Sequence, residues 1–366
     1  MVLESNIDIN SLLEPISEDN PAGGDLRNDI KPNSLYQTIK QSRMSARAAE
    51  RNNIYDKNNN DAIEHWRNIS VLAPEIISNH SKDLEISSWY IEAVVRLYGF
   101  NGLYDCFKLT RELIQTYWDE IYPRPDEDGM FTRVAPLAGL NGEGSEGVLM
   151  APIRNIPITE GSQPGPFSVW QYQKALDVEK ISDSDVRIDT IKRVGYSLDD
   201  IEQAVNLSSQ EYYIGLRNDI QGCLEEYRTI SQLLNDRCDV EAPPTRNMIS
   251  VLEQCLGAVN HLARNKLPLE QHKPNVSDTA DSAKTKQSDI DNHISIVDSR
   301  ESAFAQLRAI SDFFKRTEPH SPISYILEKA VSWGGMPLSE LIGELIPDST
   351  SREYYSSLTG VNLTED

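Results

Sequence analysis

The sequence has few of the side chains from which catalytic and metal sites are built. Its 366 residues include only four cysteines and six histidines, and these are scattered along the chain. No two cysteines form a CxxC pair, and no cysteine lies at metal-ligand spacing from a histidine. The P-loop motif and the GxSxG motif of serine hydrolases are also missing. The sequence therefore predicts no metal, no cofactor and no enzyme, and it predicts free thiols in a reducing cytoplasm.

Positive charge and long apolar runs are scarce as well. The 35 lysines and arginines are outnumbered by 57 aspartates and glutamates, which gives a formal net charge of −22. A nucleic-acid-binding protein needs a basic face, and an anionic membrane surface would repel this chain. No run of about 18 apolar residues is present, and the first residues lack the basic and apolar segments of a signal peptide. We therefore expect a cytoplasmic protein that neither binds nucleic acid nor inserts directly into a membrane.

Two short motifs resemble ligand-binding loops in sequence. Residues 142–147 match the GxGxxG pattern of dinucleotide-binding loops, but two glutamates inside the loop would repel a pyrophosphate. Because two prolines follow, we expect a short β-hairpin at 148–158 rather than the helix that such a loop requires. The acidic residues at 126–128 precede a glycine too early for an EF-hand loop. Both motifs are therefore predicted to be turns without a ligand, and His65, which has no second ligand nearby, is predicted to be a packed side chain.

What the sequence does contain begins with a leader rich in proline and glycine at residues 12–27. Two prolines fix φ and remove backbone donors, while a Gly-Gly pair allows φ to be positive, so this stretch cannot continue as a helix. We predict an extended arm with several turns, which docks on the rest of the domain through Ile16 and Leu26.

Apolar residues recur at helical spacing through most of the following chain. The last two predicted helices are long, meet at Pro243-Pro244 and should form a helical hairpin. The predicted helices cover 33–51, 61–77, a segment that starts with Ser81 as its cap, a segment that starts after residues 99–103 and ends at 117–120, then 167–176, 183–194, 197–205, 208–236 and 245–265.

The character of the chain changes at residues 267–298, where prolines and polar residues replace apolar ones and predict a flexible linker. Residues 299–366 then predict a small all-α domain, with Ser321 as a helix cap before Pro322 at the first helical position. This short domain carries more apolar residues than it can bury. We therefore expect it to gain stability by oligomerising. The predicted interface residues are Phe304, Leu307, Ile310, Phe313, Phe314, Pro319, Tyr325 and Trp333.

Six motifs in the first part of the chain occur together and in a fixed order. The leader is the first of them, and the others are His65-Trp66, Ser81-Lys82-Asp83-Leu84, Gly99-Phe100-Asn101-Gly102-Leu103, Tyr117-Trp118-Asp119 and Pro123-Arg124-Pro125-Asp126-Glu127-Asp128. Over residues 12–142 this series resembles the TssA family, whose members carry the ImpA-type N-terminal domain of bacterial type VI secretion systems. The segment from Glu318 to Leu345 is similar to the C-terminal end of short-chain TssA members.

The resemblance implies a protein of three parts. Residues 1–266 would form the N-terminal region, with the family signature at 12–142 and a helical extension at 167–266, and residues 299–366 would build a homo-oligomeric ring. It implies a structural subunit that joins the baseplate and primes polymerisation of the tail tube and the sheath. These components are its implied partners, with the inner-membrane complex as a further candidate, and it would act in the cytoplasm at the inner membrane.

Other functions remain open at this stage. The same family includes caps that coordinate the distal end of the sheath, and an uncharacterised helical enzyme is a second alternative. A DNA-binding regulator is a third class, which the net charge of −22 opposes.

A basic stripe on the first long helix is the most distinctive charged feature. Arg43, Arg47 and Arg51 follow one another at intervals of four residues and therefore share one face. The stripe is either a solvated face paired with neighbouring acids or a docking site for an acidic partner. Together with Asp25 and Arg27 of the leader, these arginines are the predicted partner-docking residues.

Overall fold

Helices account for almost all of the regular structure in the N-terminal unit, which comprises Met1–Lys273. The structure, a computed structural model, describes residues 7–52, 60–127, 129–238, 241–267, 300–317, 322–336, 338–346, 348 and 351–352. The α-helices of this unit are α1 (Ile9–Leu13), α2 (Leu35–Asn52), α3 (Asn60–Asn79), α4 (Leu84–Leu97), α5 (Gly99–Tyr117), α6 (Phe131–Asn141), α7 (Met150–Arg154), α8 (Val169–Glu179), α9 (Ser184–Val194), α10 (Leu198–Leu207), α11 (Gln210–Cys238) and α12 (Arg246–Leu262). The mainly α fold class predicted from the sequence is confirmed.

Helix α4 lies at the centre of this unit. Nearly every residue from Leu84 to Val95 is buried, whereas a surface helix buries only one stripe. Helices α3, α5, α6 and α7 pack around it, and α2 covers α3. One continuous apolar core runs through the unit from Leu12 to Ala263.

The helical extension belongs to the same core as the segment that carries the family-like motifs. Helix α11 packs along α5, and the rings of Phe107 and Tyr227 lie 5.0 Å apart between the two helices. Gly222 allows this approach, because a Cβ atom at that position would lie 2.7 Å from the ring of Tyr104. Asn141 adds a second link, since its Oδ1 accepts a hydrogen bond of 2.8 Å from the backbone N–H of Met248 in α12.

Helices α11 and α12 pack against each other in opposite directions. The side chains of Ser231 and Thr245 are hydrogen-bonded near the connection, and Arg228 forms an ion pair of 2.6 Å with Glu253 farther along both helices. Their bounds lie within a few residues of the predicted ones, because the apolar stripe of each helix faces the core.

Three local predictions are wrong. Helix α5 begins at Gly99, so residues 99–103 belong to the helix and not to a turn before it. The β-hairpin predicted at 148–158 is absent, and Met150–Arg154 forms helix α7 instead. Pro152 lies in the first turn of α7, where a missing N–H costs nothing, so the proline marks the start of a helix and not an edge strand. The cap of α4 is Asp83 and not Ser81, because Asp83 accepts hydrogen bonds from the backbone N–H groups of Glu85 and Ile86.

The C-terminal unit comprises Pro274–Asp366 and contains three described helices. These are α13 (Arg300–Thr317), α14 (Ile323–Gly335) and α15 (Leu338–Leu345). Pro322 occupies the cap position of α14, one residue earlier than predicted. Ser321, Pro319 and the predicted linker from residue 268 onward lie outside the described residues.

Candidate functional site

The leader is held against the N-terminal unit by backbone hydrogen bonds. The N–H of Gly24 donates to the carbonyl of His80 (3.1 Å), and the N–H of Lys82 donates to the carbonyl of Ala22 (2.8 Å). Leu12 and Ala22 are the buried apolar anchors of the leader, whereas the predicted anchors Ile16 and Leu26 are half-buried. The leader is therefore a fixed arm, as predicted, but it docks through its backbone more than through large side chains.

Gly23 is the tightest point of this contact. Its φ of +75° belongs to the left-handed region, and a Cβ atom would lie 2.2 Å from the carbonyl oxygen of His80. We expect Gly23→Ala to lower the free energy of unfolding by about 2–4 kcal/mol, because both the backbone conformation and the contact become strained. Gly24→Ala is the matched control, since a Cβ at that position meets nothing within 4 Å. Urea denaturation of the two variants measures the difference, and equal losses would contradict the proposed contact.

The buried side chain of Lys82 binds the leader from the interior of the unit. Its side chain is fully buried, and its Nζ donates to the carbonyl oxygens of Leu12 in the leader and Ile77 in α3, each at 2.8 Å. The hydroxyl of Tyr117 donates to the neighbouring carbonyl of Leu13 at 2.6 Å. Burial lowers the pKa of Lys82 from 10.5 to about 8, although the charge of Glu14 opposes this shift. A neutral amine still has two N–H groups for the two carbonyls, so the contact survives deprotonation.

This buried amine contributes stability that grows with pH. Between about pH 8 and pH 10.5 the lysine of the unfolded chain binds a proton that folded Lys82 has released, so the contribution of Lys82 to the free energy of unfolding increases across this window. Buried cysteines oppose this trend from about pH 9 and buried tyrosines from about pH 10, because burial raises the pKa of Cys255 to about 12 and also raises the pKa of Tyr227. We therefore compare wild type with Lys82→Met between about pH 7 and pH 9.5 by urea denaturation. The difference in free energy of unfolding between wild type and Lys82→Met should grow in favour of wild type by at least about 1 kcal/mol over this pH range. A difference that stays constant would contradict a buried amine with a low pKa.

Arg27 of the leader is bound by three carboxylates. Its guanidinium lies 3.0 Å from Asp25, 2.8 Å from Asp83 and 2.6 Å from Glu85, and the side chain of Asp83 is fully buried. Burial alone would lower the pKa of the Arg27 guanidinium, but Asp83 and Glu85 outweigh it and raise the pKa above its ordinary value. Asp25 and Arg27, which the sequence assigns to partner docking, thus also fasten the leader to the cap of α4.

Two arginines of the basic stripe converge on one buried carboxylate. Arg43 and Arg47 of α2 each contact a different oxygen of Glu92 in α4 at 2.7 Å, and Glu92 is fully buried. This geometry favours the interpretation of the stripe as a face paired with neighbouring acids, at least for these two residues. Arg51 is exposed at the end of α2, and docking of a partner there remains a prediction.

The tryptophan of the His-Trp motif belongs to the same network. Buried Trp66 donates its indole N–H to Glu50 at 2.8 Å, and Arg96 contacts Glu50 at 2.6 Å while its guanidinium carbon lies 4.2 Å from the Trp66 ring centre. His65 is half-buried on α3. Sequence reasoning missed Glu50 and Glu92, because acids on helices give no signal of their own when the arginine that pairs with them lies more than 40 residues away.

Buried thiols and tight packing characterise the described part of this unit. All four cysteines are buried free thiols, and burial raises the pKa of Cys255 to about 12, so these groups stay protonated at neutral pH. Among the described residues, no three His, Cys, Asp or Glu side chains come together as a metal site. The enclosed space beside Phe107 and Tyr227 is about 10 Å³, which is too small for a ligand. None of the helices that the structure describes is long and apolar enough to span a membrane.

The C-terminal unit leaves several of its apolar residues exposed. Among the side chains that the structure describes there, only Ser311, Ser324 and Ile342 are buried. The hydroxyl of Ser311 in α13 donates to the carbonyl of Ser324 in α14 at 2.8 Å, so two small polar residues lie at a buried point of the contact between the two helices. A hydrophobic core normally occupies that position, and this unit therefore lacks a core of ordinary size within its described part.

Three of the eight predicted interface residues are exposed. Phe313 is 48% exposed and Tyr325 is 64% exposed, and Ile310 lies one turn before Phe313 on the same side of α13. Other exposed apolar residues are Ile323, Ile326 and Leu345. Four predicted residues are half-buried, namely Phe304, Leu307, Phe314 and Trp333. We call Ile310, Phe313, Ile323, Tyr325, Ile326 and Leu345 the apolar surface of the C-terminal unit.

Phe304 has a specific intrachain role. A Cβ atom on Gly334 would lie 2.0 Å from its ring, so Phe304 packs directly onto the end of α14. The sequence predicts that one of Phe313 and Phe314 faces inward and the other outward. Phe314 is the half-buried one, and Phe313 is the exposed one.

Comparisons with known proteins agree with the motifs. Residues 13–142 match the ImpA_N family, described as "ImpA, N-terminal, type VI secretion system". The type VI secretion system component TssA1 of Pseudomonas aeruginosa is 24% identical over 367 residues, which cover 94% of this chain and 97% of that protein. The solved N-terminal domain, including the conserved ImpA_N region, of the TssA component from Burkholderia cenocepacia is 25% identical. The two structures superpose with a TM-score of 0.59 over 72% of this chain and 96% of the solved domain.

Proposed function

We propose that this chain is a TssA-type component of a type VI secretion system, like the proteins to which it is similar, and that it is a structural subunit that assembles into a ring through its C-terminal unit. In this role it joins the baseplate on the cytoplasmic side of the inner membrane and primes polymerisation of the tail tube and the sheath. The observation that carries the ring is the apolar surface of the C-terminal unit, since Phe313, Tyr325 and Ile326 are each about half exposed or more.

Physical chemistry supports assembly through this surface. Contiguous apolar patches on a protein surface mark contacts with other proteins, and we propose that exposed apolar residues of α13, α14 and α15 form such a patch. A domain with little core of its own gains stability when neighbouring copies cover its apolar residues. Closed symmetric arrays are the usual result when identical chains assemble, because each patch then meets its complement on the next copy.

The N-terminal unit is proposed to carry the contacts with the secretion apparatus. Its fold is built around a single core and fastened by the leader, so it can present a fixed surface from each ring subunit. This part of the proposal draws on the similarity to TssA components of type VI secretion systems.

A binding experiment with purified components tests this function. The full chain and residues 1–267 are each incubated with the baseplate, tail-tube and sheath proteins of the same system, and complexes are isolated by affinity capture. We expect residues 1–267 to retain baseplate or tube protein, and the full chain to retain more because several copies act together. If the chain retains only the sheath protein, a cap at the distal end of the sheath replaces the proposed baseplate role. If it retains none of the three proteins, the proposal is contradicted.

A further inference from the structure

An open cleft of about 900 Å³ lies on the N-terminal unit. One side is formed by the end of α2, the floor by the end of α4, and the other side by α7 and the residues that follow it. The cleft is wide enough for a peptide segment, and pockets of this size and shape commonly bind one.

Arginines line the α2 side and the floor of the cleft. Arg47, Arg51 and Arg96 border it together with one acidic residue, Glu50. Glu92 and Glu50 bind the guanidinium groups of Arg47 and Arg96 and hold them in place. Among the residues that the structure describes, no hydrogen bond or ion pair engages the guanidinium of exposed Arg51. Arg51 therefore offers all of its donors to a ligand.

The opposite side of the cleft is apolar, as is Leu97 on the floor. Val148, Pro152 and Leu97 are half-buried and Ala151 is exposed, so each presents part of its apolar surface to the opening. A ligand that fits both sides needs a negative group for the arginines and an apolar group for this wall. An ion pair at an exposed site contributes little by itself, so the apolar contact has to supply part of the affinity.

We propose that this cleft binds an acidic segment of a protein partner, with a carboxylate on Arg51 and an apolar side chain against Val148 and Pro152. Charge complementarity identifies the occupant, because three arginines gather here on a chain whose net charge is −22. Of the arginine stripe predicted from the sequence as a docking site, only Arg51 remains free to bind a partner in the part of the chain that the structure describes. The fold places the apolar wall of Val148 and Pro152 opposite it, which the sequence alone does not indicate. The inference concerns the N-terminal unit alone and does not depend on the proposed ring.

Fluorescence anisotropy of the full chain with a defined probe tests this site. The probe is a short fluorescein-labelled peptide in which glutamate alternates with leucine, and its counterpart carries glutamine in place of glutamate. We expect the glutamate peptide to bind, the glutamine peptide to bind at least about fivefold more weakly, and affinity to fall as salt is added. Arg51→Glu should weaken binding of the glutamate peptide by about tenfold. Ala151→Asp, on the opposite wall, should weaken it to a similar extent.

Arg193→Glu is the matched control, because Arg193 is also exposed, lies on α9 outside the cleft and gives the same change in net charge. It should alter the affinity less than twofold. Equal effects of Arg51→Glu and Arg193→Glu would reduce the binding to a general charge effect and overturn the proposal, as would failure of the glutamate peptide to bind at low salt. Tighter binding of a single-stranded oligonucleotide with the same sensitivity to Arg51→Glu would also overturn it in favour of nucleic acid. The assembly mass, which reports on the ring, should be unchanged in all three variants.

Discussion

Replacing Asp83 by alanine is expected to lower the free energy of unfolding of the N-terminal unit by about 3–5 kcal/mol. The fully buried carboxylate of Asp83 binds Arg27 of the leader and also caps α4 through the backbone N–H groups of Glu85 and Ile86. Alanine removes both interactions at once, and the two N–H groups lose their acceptor inside the protein. This change should therefore loosen the leader and the central helix together.

Two further variants separate these contributions. Asp83→Asn keeps an oxygen for the cap of α4 but removes the charge, so we expect roughly half of the loss. Asp25→Ala removes the more exposed carboxylate on Arg27 and should cost about 1 kcal/mol or less. Urea denaturation followed by circular dichroism gives the three values. If Asp83→Ala and Asp25→Ala cost the same, the buried ion pair is not what fastens the leader.

Replacing Phe313 by aspartate is expected to dissolve the assembly into single chains. Phe313 lies on the apolar surface of the C-terminal unit, and a carboxylate placed there would have to be desolvated in every subunit contact. Because a ring repeats each contact, the cost is multiplied by the number of subunits. The side chain is about half exposed within the chain, so the fold of α13 and α14 should survive the change.

The control for this variant is Arg308→Asp. Arg308 is exposed on the same helix but lies about 140° around it from Phe313, so it adds acidic charge on another face. Mass photometry should show the wild-type mass for Arg308→Asp and the single-chain mass for Phe313→Asp. The same mass for both would show that this face of α13 is not a subunit contact.

The helical framework could be predicted from the sequence because it rests on local periodicity. The apolar spacing predicts helices over 33–51 and 61–77, and the structure has them at Leu35–Asn52 and Asn60–Asn79. Prolines and candidate caps were less informative, since their meaning depends on the contacts around them. Pro152 begins a helix instead of marking an edge strand, and Ser81 is paired with Gly23 across an isolated bridge, which leaves Asp83 to cap α4.

The fixed position of the leader was predictable, but its fastening was not. Lys82 is fully buried with two backbone carbonyls as its partners, and no sequence pattern distinguishes such a lysine from a solvated one. Likewise, the pairing of Arg43 and Arg47 with Glu92 depends on which face of α4 turns toward α2. Long-range electrostatics of this kind follow from the packing of helices and become visible only with the fold.

For the C-terminal unit, the sequence predicts the excess of apolar residues but not which of them face outward. The excess of apolar residues in 299–366 was evident from the sequence, but the sequence could not distinguish the residues that face inward. Small serines occupy the contact between α13 and α14, so Phe313 and Ile310 remain outside while Phe304 packs onto Gly334. The outward position of these residues is the structural reason to assign assembly to this unit.

The mass of the full chain in dilute solution tests the central claim most directly. Mass photometry of the full chain and of residues 1–267 should give one large, uniform mass for the first and a single-chain mass for the second. This result is expected because the apolar surface that we propose to drive assembly lies entirely in the C-terminal unit. A full chain that remains at its single-subunit mass of 41.2 kDa would contradict the account.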